Sequence, residues 1–467
     1  VWIGVHLALR RRGSTEQYFL AGRRIPWWAA GISIFGTTLS AITYLSMPAR
    51  VFASGWGFFI LNLGIVAIAP LVVFFYVPLL RRLNLTTAYE YLERRFSVGL
   101  RLVGSASFIV LQLARMGVVI LLPALALSAV TGLDVFLCIA TMGVLSTLYT
   151  VLGGIEAVIW TDVLQVGVLI GGAIAALVIV ASGLEGGLGA IFSEAWDAGK
   201  FEMPVVSTDW TAETLWVLVL GAFFSNALVP YTTDQTVIQR YLTTPDERQA
   251  ARAVWTNAAM VIPATFLFFT MGTALFVFYR TNPELLHPFE KSDQLVPWFI
   301  ATSMPAGLAG LVIAGVFAAA MSSLDSSMHA AATAVTTDFV RRLSPGREEA
   351  SLLRLARALT IAFGFLGTGT AMLMATADIR FLWDFFIGLM GLFGGTLAGL
   401  FALGIFVPRT GAVHAWCGAA ASLALLVVVR SSTDLHPLLY GVIGTGTCMA
   451  VGAIASLALP GKVRARA

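Results

Sequence analysis

Three ionisable residues stand inside long apolar runs of this 467-residue chain: Arg115, Asp162 and Asp325. A charge at the centre of an apolar helix costs about 2.5–3.5 kcal/mol on insertion scales, so by default it marks an ion path or a binding site. Arg115 lies mid-run in Ile109-Val-Leu-Gln-Leu-Ala-Arg-Met-Gly-Val-Val-Ile-Leu-Leu122, too deep for its side chain to reach either headgroup layer. Leu111 and Val119, one turn away, cannot neutralise it. That leaves an ion pair with a carboxylate on another helix, or a fork that meets a substrate carboxylate bidentately. Asp325 belongs to Ala319-Ala-Met-Ser-Ser-Leu-Asp-Ser-Ser327, where Ala319, Ser322, Ser323 and Ser326 fall at i, i+3, i+4 and i+7 along one stripe. Hydroxyls there are the hard oxygen ligands that alkali cations prefer, although the same spacing also serves plain helix packing. Asp162, near the end of its run, either binds a cation, pairs with a loop arginine or caps its helix. His329 and His414 read as packing residues rather than a proton relay.

Helices that cross a bilayer must position these groups. The chain is 58% hydrophobic and only 12% charged, against about 25% charged in ordinary soluble domains. A span needs about 20 mostly apolar residues, and such runs cover 26–49, 54–80, 99–131, 133–152, 155–182, 212–232, 251–279, 305–335, 354–376, 380–407, 412–430 and 437–459. Val1–Leu9 reads as the remnant of a further helix, giving about thirteen in one all-α integral membrane domain. A barrel is excluded, because these are continuous apolar runs and not alternations of period two. Of the 29 basic residues, only Arg50, Lys200, Arg280, Lys291, Arg380 and Arg430 fall on one side of the membrane, and Arg115 lies within it. The rest gather on the other, cytoplasmic side. The net charge of +4 is thereby matched to anionic headgroups and calls for no nucleic acid. Cys138, Cys417 and Cys448 lie within spans, without metal spacing.

Two spans are expected to be interrupted. From Gly36 to Thr43 the first concentrates glycine and hydroxyl residues where a lipid-facing helix would carry leucine. The sixth runs Phe223-Phe-Ser-Asn-Ala-Leu-Val-Pro-Tyr-Thr-Thr-Asp-Gln235. Discontinuous helices of this kind, at equivalent places in two halves, free backbone carbonyls to hold a cation near the midplane. The halves would be 26–182 and 212–407, an inverted repeat of five plus five, followed by two further helices over 412–459.

Four ordered motifs then resemble the sodium:solute symporter family, built on the leucine-transporter-type fold. They are Tyr18-Phe-Leu-Ala-Gly-Arg-Arg-Ile-Pro-Trp-Trp28, Gly153-Gly-Ile-Glu-Ala-Val-Ile-Trp-Thr-Asp-Val-Leu-Gln165, Asp234-Gln-Thr-Val-Ile-Gln-Arg-Tyr241 and the serine stripe. The resemblance implies a sodium site formed by carbonyls of Gly36, Leu39 and Ala319 with the hydroxyls of Ser322 and Ser323. It implies a second sodium site at Asp162, Ser322, Asp325 and Ser326, although Asp325 stands where a hydroxyl is expected. Arg115 with Gly36-Thr-Thr-Leu-Ser-Ala-Ile-Thr43 is most similar to the sialic acid branch. Arg115 would then receive the substrate carboxylate, with Thr38, Ser40, Thr43, Phe58, Asn62 and Phe223 completing the pocket. The expected activity is import of a small organic anion, sialic acid or a related sugar acid, with one or two sodium ions, by a monomer surrounded by lipid in the inner membrane. A short monocarboxylate, a neutral sugar or an amino acid is the alternative solute. A membrane enzyme or a transport-like sensor is the alternative class, and no nucleophile with its base supports the former.

Overall fold

The computed structural model of the chain describes residues 14–39, 41–286, 294–377 and 388–460. The apolar start, Ser40 and the first residues of the tenth expected span lie outside them. Helices α1 (Thr15–Leu20), α2 (Trp27–Thr38), α3 (Ala41–Ser54) and α4 (Phe59–Arg82) come first, followed by α5 (Glu90–Arg95), α6 (Val98–Thr131) and α7 (Val135–Ser182). A short α8 (Gly187–Asp197) precedes α9 (Leu215–Thr233), α10 (Gln235–Leu242), α11 (Glu247–Thr281) and α12 (Leu295–Ser303). The chain continues through α13 (Gly307–Leu343), α14 (Glu349–Thr376), α15 (Met390–Phe406), α16 (Ala412–Ser432) and α17 (Pro437–Ala458).

Among the described residues nine helices are long and apolar enough to cross a membrane, and the bent pair α2–α3 makes ten. The fourth and tenth expected spans correspond to shorter described pieces, Val135–Leu148 and Met390–Phe406. Local chemistry sets the ends. Ser97, Asp134 and Asp246 cap α6, α7 and α11 by accepting N–H bonds from Leu100, Leu137 and Gln249, as short polar side chains do at helix starts. Within α7 the backbone turns at Gly154 (φ 54°, ψ −164°), a conformation open to residues without a Cβ, and this separates the fourth span from the fifth.

Two groups of helices emerge from the packing. The first contains α2, α3, α4, α9 and α11, and the second α6, α7, α13 and α14. Small residues bring the first group together. A methyl on Gly64 of α4 would strike the Ala222 carbonyl of α9, and one on Gly31 of α2 would stand 2.7 Å from the Ala253 carbonyl of α11. Such close backbone approach is the main source of attraction between helices where lipid removes the hydrophobic drive.

On the arginine-rich side the groups are laced together. Thr87 of the α4–α5 link donates to Asp338 of α13 at 2.6 Å, Arg101 of α6 bonds Asp338 at 2.8 Å and Glu93 at 2.7 Å, and Arg342 reaches Glu93 at 2.7 Å.

Candidate functional site

The first span breaks where the sequence concentrates glycine and hydroxyl residues. Helix α2 ends at Thr38, Leu39 leaves the helical region (φ −80°, ψ 88°), and α3 sets off at 55° to α2. The sixth span breaks at Asp234 (ψ 112°), whose carboxylate accepts from the Thr236 N–H at 2.8 Å and so starts α10. Between these breaks lies a cavity of about 140 Å³.

Of the residues expected around a substrate, Thr38, Thr43, Asn62 and Arg115 line this cavity. Ser40 falls outside the described residues. Phe58 and Phe223 are not among the lining residues. Phe58 is buried with Val51, Leu61 and Leu218 beneath the Arg50 guanidinium, 4.2 Å from its ring centre. Phe223 packs edge-on against Phe224 at 5.1 Å. It lies in a wide π-helical stretch, Gly221–Leu228, where an extra residue per turn rotates side chains relative to an α-helix, and Asn226 faces the cavity from that stretch.

Arg115 joins both breaks. Its Nη2 donates to the Thr37 carbonyl at 2.7 Å, and its Nη1 lies 3.4 Å from Asp234 Oδ2 and from Thr236 Oγ1. A tight bond to the first helix thus accompanies a loose ion pair at the second. The first possibility left open by the sequence, a carboxylate partner on another helix, is present, and the guanidinium also lies on a cavity wall. Gln112, one turn away, also reaches Asp234, at 3.3 Å.

The serine stripe of α13 faces α2 and the second arm of α7. Ala319, Ser322, Ser323, Asp325 and Ser326 are all buried. Ser323 Oγ has no hydrogen-bond partner among the described residues. A buried hydroxyl left unsatisfied calls for a missing partner, and a bound cation would supply it. Gly36 packs against α7, where a Cβ would stand 2.9 Å from Val166 and 3.6 Å from Asp162 Cβ. The residues fit the first sodium site in donor type and in this unsatisfied hydroxyl.

Asp162 is fully buried. Its Oδ1 accepts from the Ser322 hydroxyl and its Oδ2 from Ser33 of α2. Arg240 of α10 forms an ion pair with Oδ2 at 3.0 Å and also donates to Ser326 Oγ at 2.5 Å. Ser326 Oγ in turn donates to the Ser322 carbonyl at 2.6 Å and lies 3.3 Å from Asp325 Oδ1. The four residues named for a second site therefore form one cluster of oxygens, joined by an arginine.

That arginine is a correction. The sequence places Arg240 among cytoplasmic-loop charges, yet it is wholly buried, as are Arg95 and Arg101 almost completely. The cause is α10, whose Val237, Ile238, Tyr241 and Leu242 bury every face of a short helix and carry the lone guanidinium inward. Asp234 and Ser33 were also missed. The sequence signal for Asp234 was a capping residue directly after an apolar run; Ser33, amid Gly31-Ile-Ser-Ile-Phe, gave none. His329 Nε2 donates to the Tyr18 carbonyl at 3.0 Å, and His414 Nδ1 accepts from the Gly411 N–H at 2.8 Å, capping α16.

With this geometry established, comparison with known proteins gives one consistent picture. The family model described as "Sodium:solute symporter family" matches residues 18–421. The sodium/sialic acid symporter NanT of Aliivibrio fischeri is 43% identical over 96% of this chain and 89% of its own. The sodium/sialic acid symporter SiaT of Proteus mirabilis is 40% identical over 98% of this chain and 93% of its own. A solved substrate-bound, outward-open structure of a Na+-coupled sialic acid symporter, described as revealing a novel Na+ site, superposes with a TM-score of 0.92 at 37% identity. It covers 98% of this chain and 95% of its own. Two interrupted spans around an arginine on a cavity wall, an oxygen-lined serine stripe and full-length likeness in sequence and fold lead to one conclusion: this chain belongs to the sodium:solute symporter family and is a multi-pass, sodium-coupled transporter with the leucine-transporter-type fold.

Proposed function

We propose that the chain carries sialic acid or a closely related sugar acid inward across the inner membrane, driven by two sodium ions, as a monomer surrounded by lipid. One observation carries the substrate reading: Arg115 stands on the cavity wall at both helix breaks, held by a backbone carbonyl and a loosely paired Asp234. A carboxylate that meets this guanidinium gains the charge-assisted bonds for which its planar fork is suited. Thr38, Thr43 and Asn62 on the same wall supply hydroxyl and amide groups to a polyhydroxylated acid, with Ser40 as the further candidate. In this reading the inverted repeats are 26–182 and 212–407, with 412–459 as added helices.

The first ion takes the carbonyls of Gly36, Leu39 and Ala319 with Ser322 and Ser323, and the second takes Asp162, Ser322, Asp325 and Ser326. An ion at the first site stabilises the broken helix in the shape that presents Thr37 to Arg115. Sodium then raises substrate affinity, and substrate raises sodium affinity by the same factor. Ion number sets the gradient the transporter sustains. One sodium with a monoanion is electroneutral and gives about 1.4 kcal/mol from a tenfold ion gradient, or roughly tenfold accumulation. Two sodium ions at 100 mV give about 5 kcal/mol, several thousandfold.

Tracer sialic acid uptake into proteoliposomes tests the substrate assignment. Arg115→Ala is expected to abolish uptake while the purified variant keeps its unfolding temperature within a few degrees, and Arg115→Lys to restore little, because a point charge lacks the fork. Uptake at the wild-type rate in Arg115→Ala would remove the anion assignment.

A further inference from the structure

The second sodium site already faces a cation belonging to the protein. Arg240 donates through Nη2 to Ser326 Oγ at 2.5 Å and Asp162 Oδ2 at 3.0 Å, through Nε to Ser33 Oγ at 2.7 Å and through Nη1 to the Thr236 carbonyl at 2.6 Å. Asp162 and Ser326 are two of the four ligands assigned above to the second ion. Two unit charges drawn to the same buried oxygens repel strongly, because little water is present to screen them. Loss of either cation would leave a buried carboxylate uncompensated, which is also costly.

We propose that Arg240 is a tethered stand-in for the second sodium ion, so that guanidinium and ion compete for Asp162 and Ser326 and each enters as the other withdraws. The inference rests on the reading of Asp162 as a sodium ligand. Its consequence is mechanical. Arg240 ties α10 to Ser33 of α2, Asp162 of α7 and Ser326 of α13, and so bridges the two helix groups. Ion entry then loosens the closure between them, and the return of Arg240 expels the ion.

The test is equilibrium binding of 22Na to the purified full chain, which reports ion number and affinity without transport. Arg240→Gln should lower the half-saturating sodium concentration of the second ion about tenfold, the scale of one bond to a buried charge. Arg240→Lys keeps a charge but cannot span Ser33, Asp162 and Ser326 together, so it should give a smaller decrease, and it decides the matter if the glutamine variant does not fold. Asp162→Asn should bind one ion, and adding Arg240→Gln to it should change nothing further. Unchanged or weaker second-ion binding in both Arg240 variants would overturn the stand-in while leaving the site. Two ions still bound in Asp162→Asn would overturn the second site itself, and with it the inference.

Discussion

A guanidinium buried in the protein must find oxygen there, and this chain supplies it in two ways. Arg95 leans on backbone, donating to the carbonyls of Gly404 at 3.1 Å and Pro408 at 3.0 Å where α15 ends. Arg101 and Arg240 use carboxylates, Asp338 and Asp162. Arg115 combines a carbonyl with a carboxylate at a marginal 3.4 Å, and this unfinished pairing suits it to a transient anion. Ser323 is the counterpart among acceptors, a buried hydroxyl with no partner among the described residues. Ser323→Ala should therefore leave the sodium-free unfolding temperature nearly unchanged and raise the sodium concentration needed for half-maximal thermal stabilisation about tenfold, the scale of one lost ligand. An equal loss of stability with and without sodium would mean that the hydroxyl serves packing. At this scale the sequence revealed charges that lipid should have excluded, Arg115, Asp162 and Asp325. It did not reveal their partners, because Asp234 and Arg240 lie in a segment polar enough to pass for a loop.

Helix breaks and helix contacts answer to different chemistry. The breaks at Leu39 and Asp234 were legible because glycine, hydroxyl and capping residues interrupt apolar runs. The short helices α1, α5, α8, α10 and α12 were not, since a helix of six to eleven residues draws its stability from tertiary packing and leaves little periodicity in sequence. Contact between α4 and α9 depends on Gly64 lying against the Ala222 carbonyl. Gly64→Val should lower the unfolding temperature through about 1–3 kcal/mol of overpacking, which differential scanning fluorimetry would register, whereas Gly446→Val, where no neighbour among the described residues lies within 4 Å, should not. On the arginine-poor side Glu213, just before α9, bonds Arg50 of α3 and lies 3.7 Å from His436 at the start of α17. Burial alone would raise its carboxyl, but His436 and Arg50 outweigh burial and hold it at about 2. Because that lies below the ordinary glutamate value of about 4.3, the stabilisation is full above that pH and is lost as pH falls towards the folded value. Glu213→Gln should flatten the pH dependence of unfolding between roughly pH 4.5 and pH 2; an unchanged slope would assign the acid sensitivity elsewhere.

Across the whole molecule, two helix groups meet at a cavity and are tied to each other by Arg240 with Asp162 and by the Thr87–Asp338–Arg101 network. This arrangement suits a carrier that exposes its site to one side at a time, with one group rocking against the other. The all-helical membrane architecture was legible because bilayer thickness sets the length of each apolar run; the lacing between groups was not, because it joins residues far apart in sequence, such as Thr87 and Asp338. In the proposed cycle, sodium ions at the first-helix break and the serine stripe drive uptake of a sugar acid held by Arg115. The most direct measurement is tracer sialic acid accumulation in proteoliposomes under an inward sodium gradient, repeated with choline replacing sodium outside. Concentrative uptake is expected with sodium, rising more than linearly with its concentration, and no accumulation with choline. Equal accumulation in both salts would contradict it.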